Sequence, residues 1–83
     1  MSKYEPITGW LRRDGRRQVR ATFDEISALV GGLPRSASVH NAWWLGDPDA
    51  SPSHVQKRAW GDAGYVVEGV DRAAGRVIFV QVA

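Results

Sequence analysis

The spacing of apolar residues changes along the chain, and the first pattern predicts a short N-terminal helix. Three large apolar residues recur at i, i+3, i+4 spacing: Ile7, Trp10 and Leu11. Pro6 suits the first turn of such a helix, because proline lacks the N–H that a first turn leaves unpaired. The helix is expected to end near Arg13, before the turn-forming pair Asp14-Gly15. Residues 1–5 are expected to form a loose lead-in.

A change to alternating spacing at residues 18–21 predicts a short strand. Thr22 and Glu25 then have the spacing of a capping box, in which each side chain accepts a hydrogen bond from the other residue's backbone N–H. A helical apolar stripe follows, and Gly31-Gly32 is expected to end this helix. The stripe consists of Phe23, Ile26, Leu29 and Val30.

Two further helices are expected in the middle of the chain. The first runs over residues 36–45, with Ser36 as its cap, and the Gly and Asp residues at 46–49 break it. The second begins at Ser51, with Pro52 in its first position, and runs to about Gly61.

The C-terminal part alternates in the manner of two strands, over residues 65–70 and 77–82, joined by a basic loop. The predicted order is therefore helix, strand, three helices, strand, strand. A winged helix has the same order with one helix fewer. We expect one small α+β domain over residues 1–83, winged-helix-like, with three to four helices and a C-terminal β-hairpin. The helix at residues 36–45 is either an insertion or the sign of another small α+β fold.

The composition excludes several classes of protein. Eighty-three residues suffice for one modest core, and the four tryptophans supply much of its apolar area. The absence of cysteine excludes disulfides and thiolate metal sites, and it suits a reducing compartment. No apolar run has the length of a membrane span, and no signal peptide is recognisable. We expect a cytoplasmic protein without a membrane partner.

Four short motifs resemble those of a family of small uncharacterised bacterial domains. They are Phe23-x-Glu25-Ile26, Leu33-Pro34-x-Ser36-Ala37, Ala42-Trp43-Trp44 and Ala59-Trp60-x-x-Ala63-Gly64-Tyr65. The resemblance covers roughly residues 4–80. This chain departs from the pattern at Tyr65, where the family commonly has tryptophan, and in a longer linker at residues 47–53. The resemblance implies a true domain and no particular activity.

Positive charge is concentrated in the first quarter of the chain, although the net charge is only +2. Five arginines fall within nine positions: Arg12, Arg13, Arg16, Arg17 and Arg20. Such clustering produces a basic face on a nearly neutral protein and suits a phosphate backbone. An arginine-rich loop that contacts only solvent explains the cluster equally well.

The predicted helix that starts at Ser51 resembles a recognition helix. Its expected outer face carries side chains suited to bases and phosphates: Ser53, His54, Gln56, Lys57 and Arg58. The hairpin loop adds Arg72 and Arg76, which in a wing would contact a phosphate or enter a minor groove. An ordinary solvated helix face and a charged hairpin tip are the alternatives.

The adjacent indoles of Trp43 and Trp44 cannot both face one core from a helix. One is expected to be buried and the other to lie at a rim or an interface. Together with His40 and Asn41 they are candidates for stacking on a base or for contacting a partner. A purely structural role for the pair is the stronger interpretation.

Catalytic motifs are not found in the sequence. It has no cysteine nucleophile, no glycine-rich phosphate loop and no metalloprotease motif. The histidines at positions 40 and 54, with the acids at 47 and 49 between them, match no standard zinc spacing. We therefore expect no enzyme, no metal, no cofactor and no small-molecule substrate.

The sequence favours a small DNA-binding domain that holds phosphates through its arginines. The alternative is a protein-interaction or adaptor module that uses an exposed tryptophan to bind a protein partner or a second copy of the chain. A base-flipping or RNA-stacking domain would use the same aromatic residues. The DNA-binding hypothesis requires the cationic side chains to converge on one surface.

Overall fold

A computed structural model describes residues 3–45 and 55–82 of the chain. The described elements are α1 (Glu5–Asp14), β1 (Gln18–Thr22), α2 (Phe23–Val30), α3 (Arg35–Val39), a 3-10 helix (Asn41–Trp43), α4 (Val55–Asp62), β2 (Tyr65–Asp71) and β3 (Arg76–Gln81). The predicted α+β class with a C-terminal hairpin is confirmed. Within these residues, no helix combines the length and the apolar composition needed to cross a membrane.

The first two helices begin and end where their local sequence predicts. Thr22 and Glu25 form the expected capping box, with hydrogen bonds of 3.0 Å and 2.9 Å. Gly15 and Gly31 end α1 and α2 at φ values of 67° and 74°, a left-handed conformation that a Cβ atom disfavours. Both ends depend on interactions within a few residues, which is why the sequence reveals them.

The three strands form an antiparallel sheet in the order β1-β3-β2. Side chains that are buried alternate with more exposed ones along each strand, so residues 3–45 and 55–82 cover only one face of the sheet. The covered face carries Val19, Ala21, Val67, Val77 and Phe79, together with Tyr65. The other face, which we call the outer face, is open to solvent.

A column of aromatic rings joins the helices to the covered face. Trp44 lies between Phe23 and Trp60, nearly parallel to both, at centroid distances of 5.2 Å and 5.8 Å. Trp60 then meets Phe79 of β3 in an edge contact at 5.6 Å. Trp44, Trp60 and Phe79 are completely buried, so these large rings supply much of the core of a small domain.

The expected continuous helix over residues 36–45 is wrong. His40 takes an extended conformation, with φ −127° and ψ 116°, and it separates α3 from the 3-10 helix. Trp44 explains the break, because its buried indole N–H donates to the carbonyl of Ala37 at 2.8 Å. The cap is also different from the prediction, since Pro34 precedes the first residue of α3 and makes no side-chain cap.

Candidate nucleic-acid interface

Two of the residues that were predicted to form the exposed surface of α4 are buried. Gln56 and Lys57 are only 7% and 6% exposed, so the prediction that they face a nucleic acid from an open helix surface is wrong. Gln56 donates from Nε2 to the carbonyl of Trp43 at 3.3 Å, which commits its amide to the protein. Arg58 is exposed, as predicted. Ser53 and His54 lie outside the described residues.

The turn between α1 and β1, which carries much of the arginine cluster, is fixed by two side chains from the other end of the chain. The hydroxyl of Tyr65 donates to the carbonyl of Arg16 at 2.6 Å. Gln81 donates from Nε2 to the carbonyl of Gly15 at 3.0 Å, and its backbone N–H donates to the carbonyl of Arg17 at 2.8 Å. Because these bonds hold the backbone, the arginine side chains project from a rigid base.

Two of the five clustered arginines are engaged within the protein. Arg12 donates to the carbonyl of Asp62 at 3.0 Å, which links α1 to the end of α4. Arg16 binds both carboxylate oxygens of Asp14, at 2.8 Å and 2.9 Å. Its side-chain hydrogen bond lowers the pKa of Asp14 below the ordinary value, and the same bond raises the pKa of Arg16.

Arg13, Arg17 and Arg20 are exposed, and their side chains have no hydrogen-bond or ion-pair partner within residues 3–45 and 55–82. Arg20 lies on the outer face of β1, between the buried Val19 and Ala21. An uncommitted guanidinium gives up no protein contact when it binds an anion, so these three are the freest cations of the cluster.

One of the two hairpin arginines is bonded to another part of the protein, and the other is not. Arg72 donates from Nη1 to the carbonyl of Val39 at 2.6 Å, so it fastens the hairpin loop to the end of α3. Arg76 is exposed, and in the described part of the chain it has no ion-pair partner. In the strand register it lies opposite Thr22 on one side and Asp71 on the other.

The cationic residues do not all converge on one surface. The α1–β1 turn lies beside the end of β3 at Gln81, whereas Arg76 begins β3 at the opposite end of the sheet. Thr22 lies opposite Arg76 in the strand register. The distance along the chain from Arg17 to Thr22 is about 17 Å, at about 3.3 Å per residue. The expected single basic patch is therefore not formed, and the arginines are spread from the α1–β1 turn to the far end of β1.

The tryptophan pair behaves partly as predicted. Trp44 is buried, and Trp43 is half-buried against the rings of Tyr4, Trp44 and Trp60. His40 and Asn41 beside them are exposed. The large apolar residues that are exposed in the described chain are Val39 and Val82, so neither indole is a freely exposed anchor.

Sequence reasoning missed the residues that fix and shape this region. Tyr65 and Gln81 were assigned only to strands, and their bonds to the α1–β1 turn span 49 and 66 positions. Gly69 was the one signal in the sequence for the shape of β2, because an isolated glycine within a strand pattern indicates a β-bulge.

Within the described residues, no three His, Cys, Asp or Glu side chains are grouped to hold a metal ion.

The elements define a small α+β domain with a three-stranded antiparallel sheet and several arginines on and around its edge strand β1. Residues 4–83 match the family model of a domain of unknown function, DUF7662, and the chain belongs to that family. The predicted resemblance to a family of small uncharacterised domains is thereby confirmed. No curated protein and no solved structure matches the chain.

Proposed function

We propose that this domain is a non-catalytic, winged-helix-like DNA-binding domain that holds duplex DNA mainly through its phosphates. The observation that carries the proposal is a set of arginines around β1 whose side chains have no partner in the described protein. It comprises Arg13 in α1, Arg17 just before β1, Arg20 on β1 and Arg76 on β3, and we call it the arginine row. The order of helices and strands matches that of a winged helix except that α3 and the 3-10 helix lie between α2 and α4.

The burial of Gln56 and Lys57 changes the expected mode of binding. A recognition helix reads bases through side chains that are free to enter the major groove, and these two are packed within the protein. Contacts to phosphate carry no direct sequence information, so this domain is expected to bind with little preference among duplex sequences.

The geometry of the arginine row gives the scale of the interaction. The part of the row from Arg17 to Arg76 measures about 17 Å, which corresponds to about half of a helical turn of duplex DNA. Four phosphate contacts predict a slope of about −3.6 for the logarithm of affinity against the logarithm of salt. Between 50 and 200 mM salt, that slope corresponds to a roughly 150-fold loss of affinity.

The test is a fluorescence-anisotropy titration of a random duplex at several salt concentrations. The double variant Arg17→Ala/Arg20→Ala removes two of the four contacts, so its salt slope is expected to fall to about −1.8. Arg35→Ala is the matched control, because Arg35 is an exposed arginine on α3 outside the row. Circular dichroism establishes that each variant is folded.

A separate variant distinguishes the two ways of docking. Arg58→Ala removes the exposed arginine of α4 and is expected to leave the salt slope unchanged. If Arg58→Ala weakens binding more than the double variant does, α4 carries the interface and the row does not. Failure of the wild-type protein to bind any duplex at 50 mM salt refutes the proposal altogether.

The adaptor alternative has less support from the packing. It requires an exposed indole as its anchor, whereas Trp44 is buried and Trp43 packs against three other rings. An interface hot spot gains its energy from surface that becomes buried only on binding. Since most of this aromatic surface is already covered, the arginine row is the better candidate.

A further inference from the structure

The outer face of the sheet contains a depression of about 370 Å³ between two arginines. Its lining residues are Arg20, Gly69, Val70, Asp71, Arg76, Val77 and Ile78. Arg20 and Gly69 are both register partners of Ile78, and Arg76 is two positions from Ile78 on β3. Arg20 and Arg76 are therefore diagonal neighbours, about 7–8 Å apart at their backbones, which is within reach of two long side chains.

A β-bulge determines which residue of β2 pairs with Ile78, on the side of β3 opposite Arg20. The register passes from Val67 opposite Phe79 to Gly69 opposite Ile78, so Glu68 is the additional residue. Without the bulge, Glu68 would be the partner of Ile78, and its carboxylate would lie on the same face of the sheet as Arg20, one strand away. The bulge substitutes a glycine, and a Cβ built on Gly69 would meet nothing within 4 Å.

The acid among the lining residues, Asp71, forms no ion pair with either arginine. Asp71 is the register partner of Arg76, yet its Oδ1 accepts the backbone N–H of Ala74 at 3.1 Å within the hairpin turn. Within residues 3–45 and 55–82, neither Arg20 nor Arg76 forms an ion pair. Two free guanidinium groups beside an open, partly apolar floor form a site for a negative charge attached to an apolar body.

We propose that this depression binds a small organic anion, whose carboxylate or phosphate group is held by Arg20 and Arg76. Gly69 and Ile78 contact its apolar part. The volume lies within the range of about 300–1,000 Å³ found for small-molecule sites. The site shares Arg20 and Arg76 with the proposed DNA interface but does not depend on it, and it adds a ligand that the sequence did not predict.

The test is an NMR titration of ¹⁵N-labelled protein with phenyl phosphate, benzoate and inorganic phosphate. We expect saturable shifts of the Gly69, Val77 and Ile78 amides with at least one aromatic probe, at concentrations up to about 10 mM. Inorganic phosphate is expected to bind roughly ten-fold more weakly, because it buries no apolar surface. The tighter of the two aromatic probes identifies the charged group as a phosphate ester or a carboxylate.

Gly69→Val fills the depression without changing any charge, and it is expected to weaken probe binding by roughly ten-fold or more. Gln18→Val is its matched control, because it also introduces a valine into the sheet, on β1, at a residue that does not line the depression. Arg20→Gln and Arg76→Gln are each expected to cost roughly ten-fold, the value of a charge-assisted hydrogen bond. These two variants keep the proposal testable if valine disturbs the bulge.

Absence of saturable shifts in the wild-type protein overturns the proposal, and so does a folded Gly69→Val variant that binds the probes as tightly as wild type. Gly69→Val retains all four residues of the arginine row and is expected to bind duplex DNA normally. Probe binding without DNA binding would refute only the proposed function, and DNA binding without probe binding would refute only this site.

Discussion

Replacing Thr8 by valine removes one buried hydroxyl at the contact between α1 and α4. The Thr8 hydroxyl donates to the carbonyl of Ala59 at 2.6 Å, and Thr8 is only 8% exposed. The usual donor to that carbonyl is the N–H of Ala63, four residues further on, but Ala63 donates to Trp60 at 3.1 Å instead. Thr8→Val therefore deprives a carbonyl in the last turn of α4 of the donor that replaces its helical partner.

The expected cost follows from that missing donor. A buried acceptor without a partner costs about 1–3 kcal/mol, and valine preserves the shape of threonine, so little is lost in packing. In a domain of this size, 2 kcal/mol corresponds to a fall in Tm of roughly 8–16 °C.

Urea and thermal unfolding measure the effect. An unchanged slope of the unfolding free energy against urea concentration would show that the unfolded state is the same. Thr8→Ser keeps the hydroxyl and loses one methyl group, so it is expected to cost only about 0.8 kcal/mol. A Thr8→Val variant as stable as Thr8→Ser would show that the hydrogen bond does not hold the two helices together.

Three further predictions test the local structure. Thr22→Ala removes the capping box and is expected to cost about 1 kcal/mol in urea unfolding, whereas Thr22→Ser should retain most of that stability. Because the pKa of Asp14 is lowered in the folded protein by its hydrogen bond to Arg16, its contribution is present above about pH 4 and is lost as the pH falls through the lowered value. The unfolding free energy of wild type should therefore fall more steeply below pH 4 than that of Asp14→Asn, and parallel curves would contradict this. Gln56→Ala removes a hydrogen bond to the Trp43 carbonyl and is expected to cost about 1 kcal/mol in thermal unfolding while leaving DNA affinity unchanged. A stable Gln56→Ala variant with altered sequence preference would instead assign Gln56 to base recognition.

The elements that the sequence predicted correctly are those whose ends depend on near neighbours. The capping box joins two residues three positions apart, and Gly31 ends α2 through a bond to Ser27. Such interactions form within one or two turns of helix, so residue types at fixed spacing are sufficient to reveal them. The hairpin is similar, since its two strands are joined by a short loop that follows Asp71 and ends at Gly75.

The break at His40 could not be predicted, because it depends on where the Trp44 indole is buried. Helical spacing over residues 36–45 favoured one continuous helix, but the indole reaches the Ala37 carbonyl and stacks between Phe23 and Trp60. Burial of so large a ring outweighs the propensity of a few residues to continue a helix. The same packing encloses Gln56, whose polar character had indicated an exposed position.

The sequence by itself determined most of the secondary elements, the single modest core and the excess of arginine in the first quarter of the chain, because these depend on composition and short spacings. Only the tertiary structure decided what the arginines face. Pairing of β1 with β3 joins residues more than fifty positions apart, so it sets Arg76 across from the end of β1 and Gln81 beside Arg17. The bulge at Gly69 then opens the space between Arg20 and Arg76. Strand register is fixed by burial of alternate side chains across the whole sheet, which no local segment specifies.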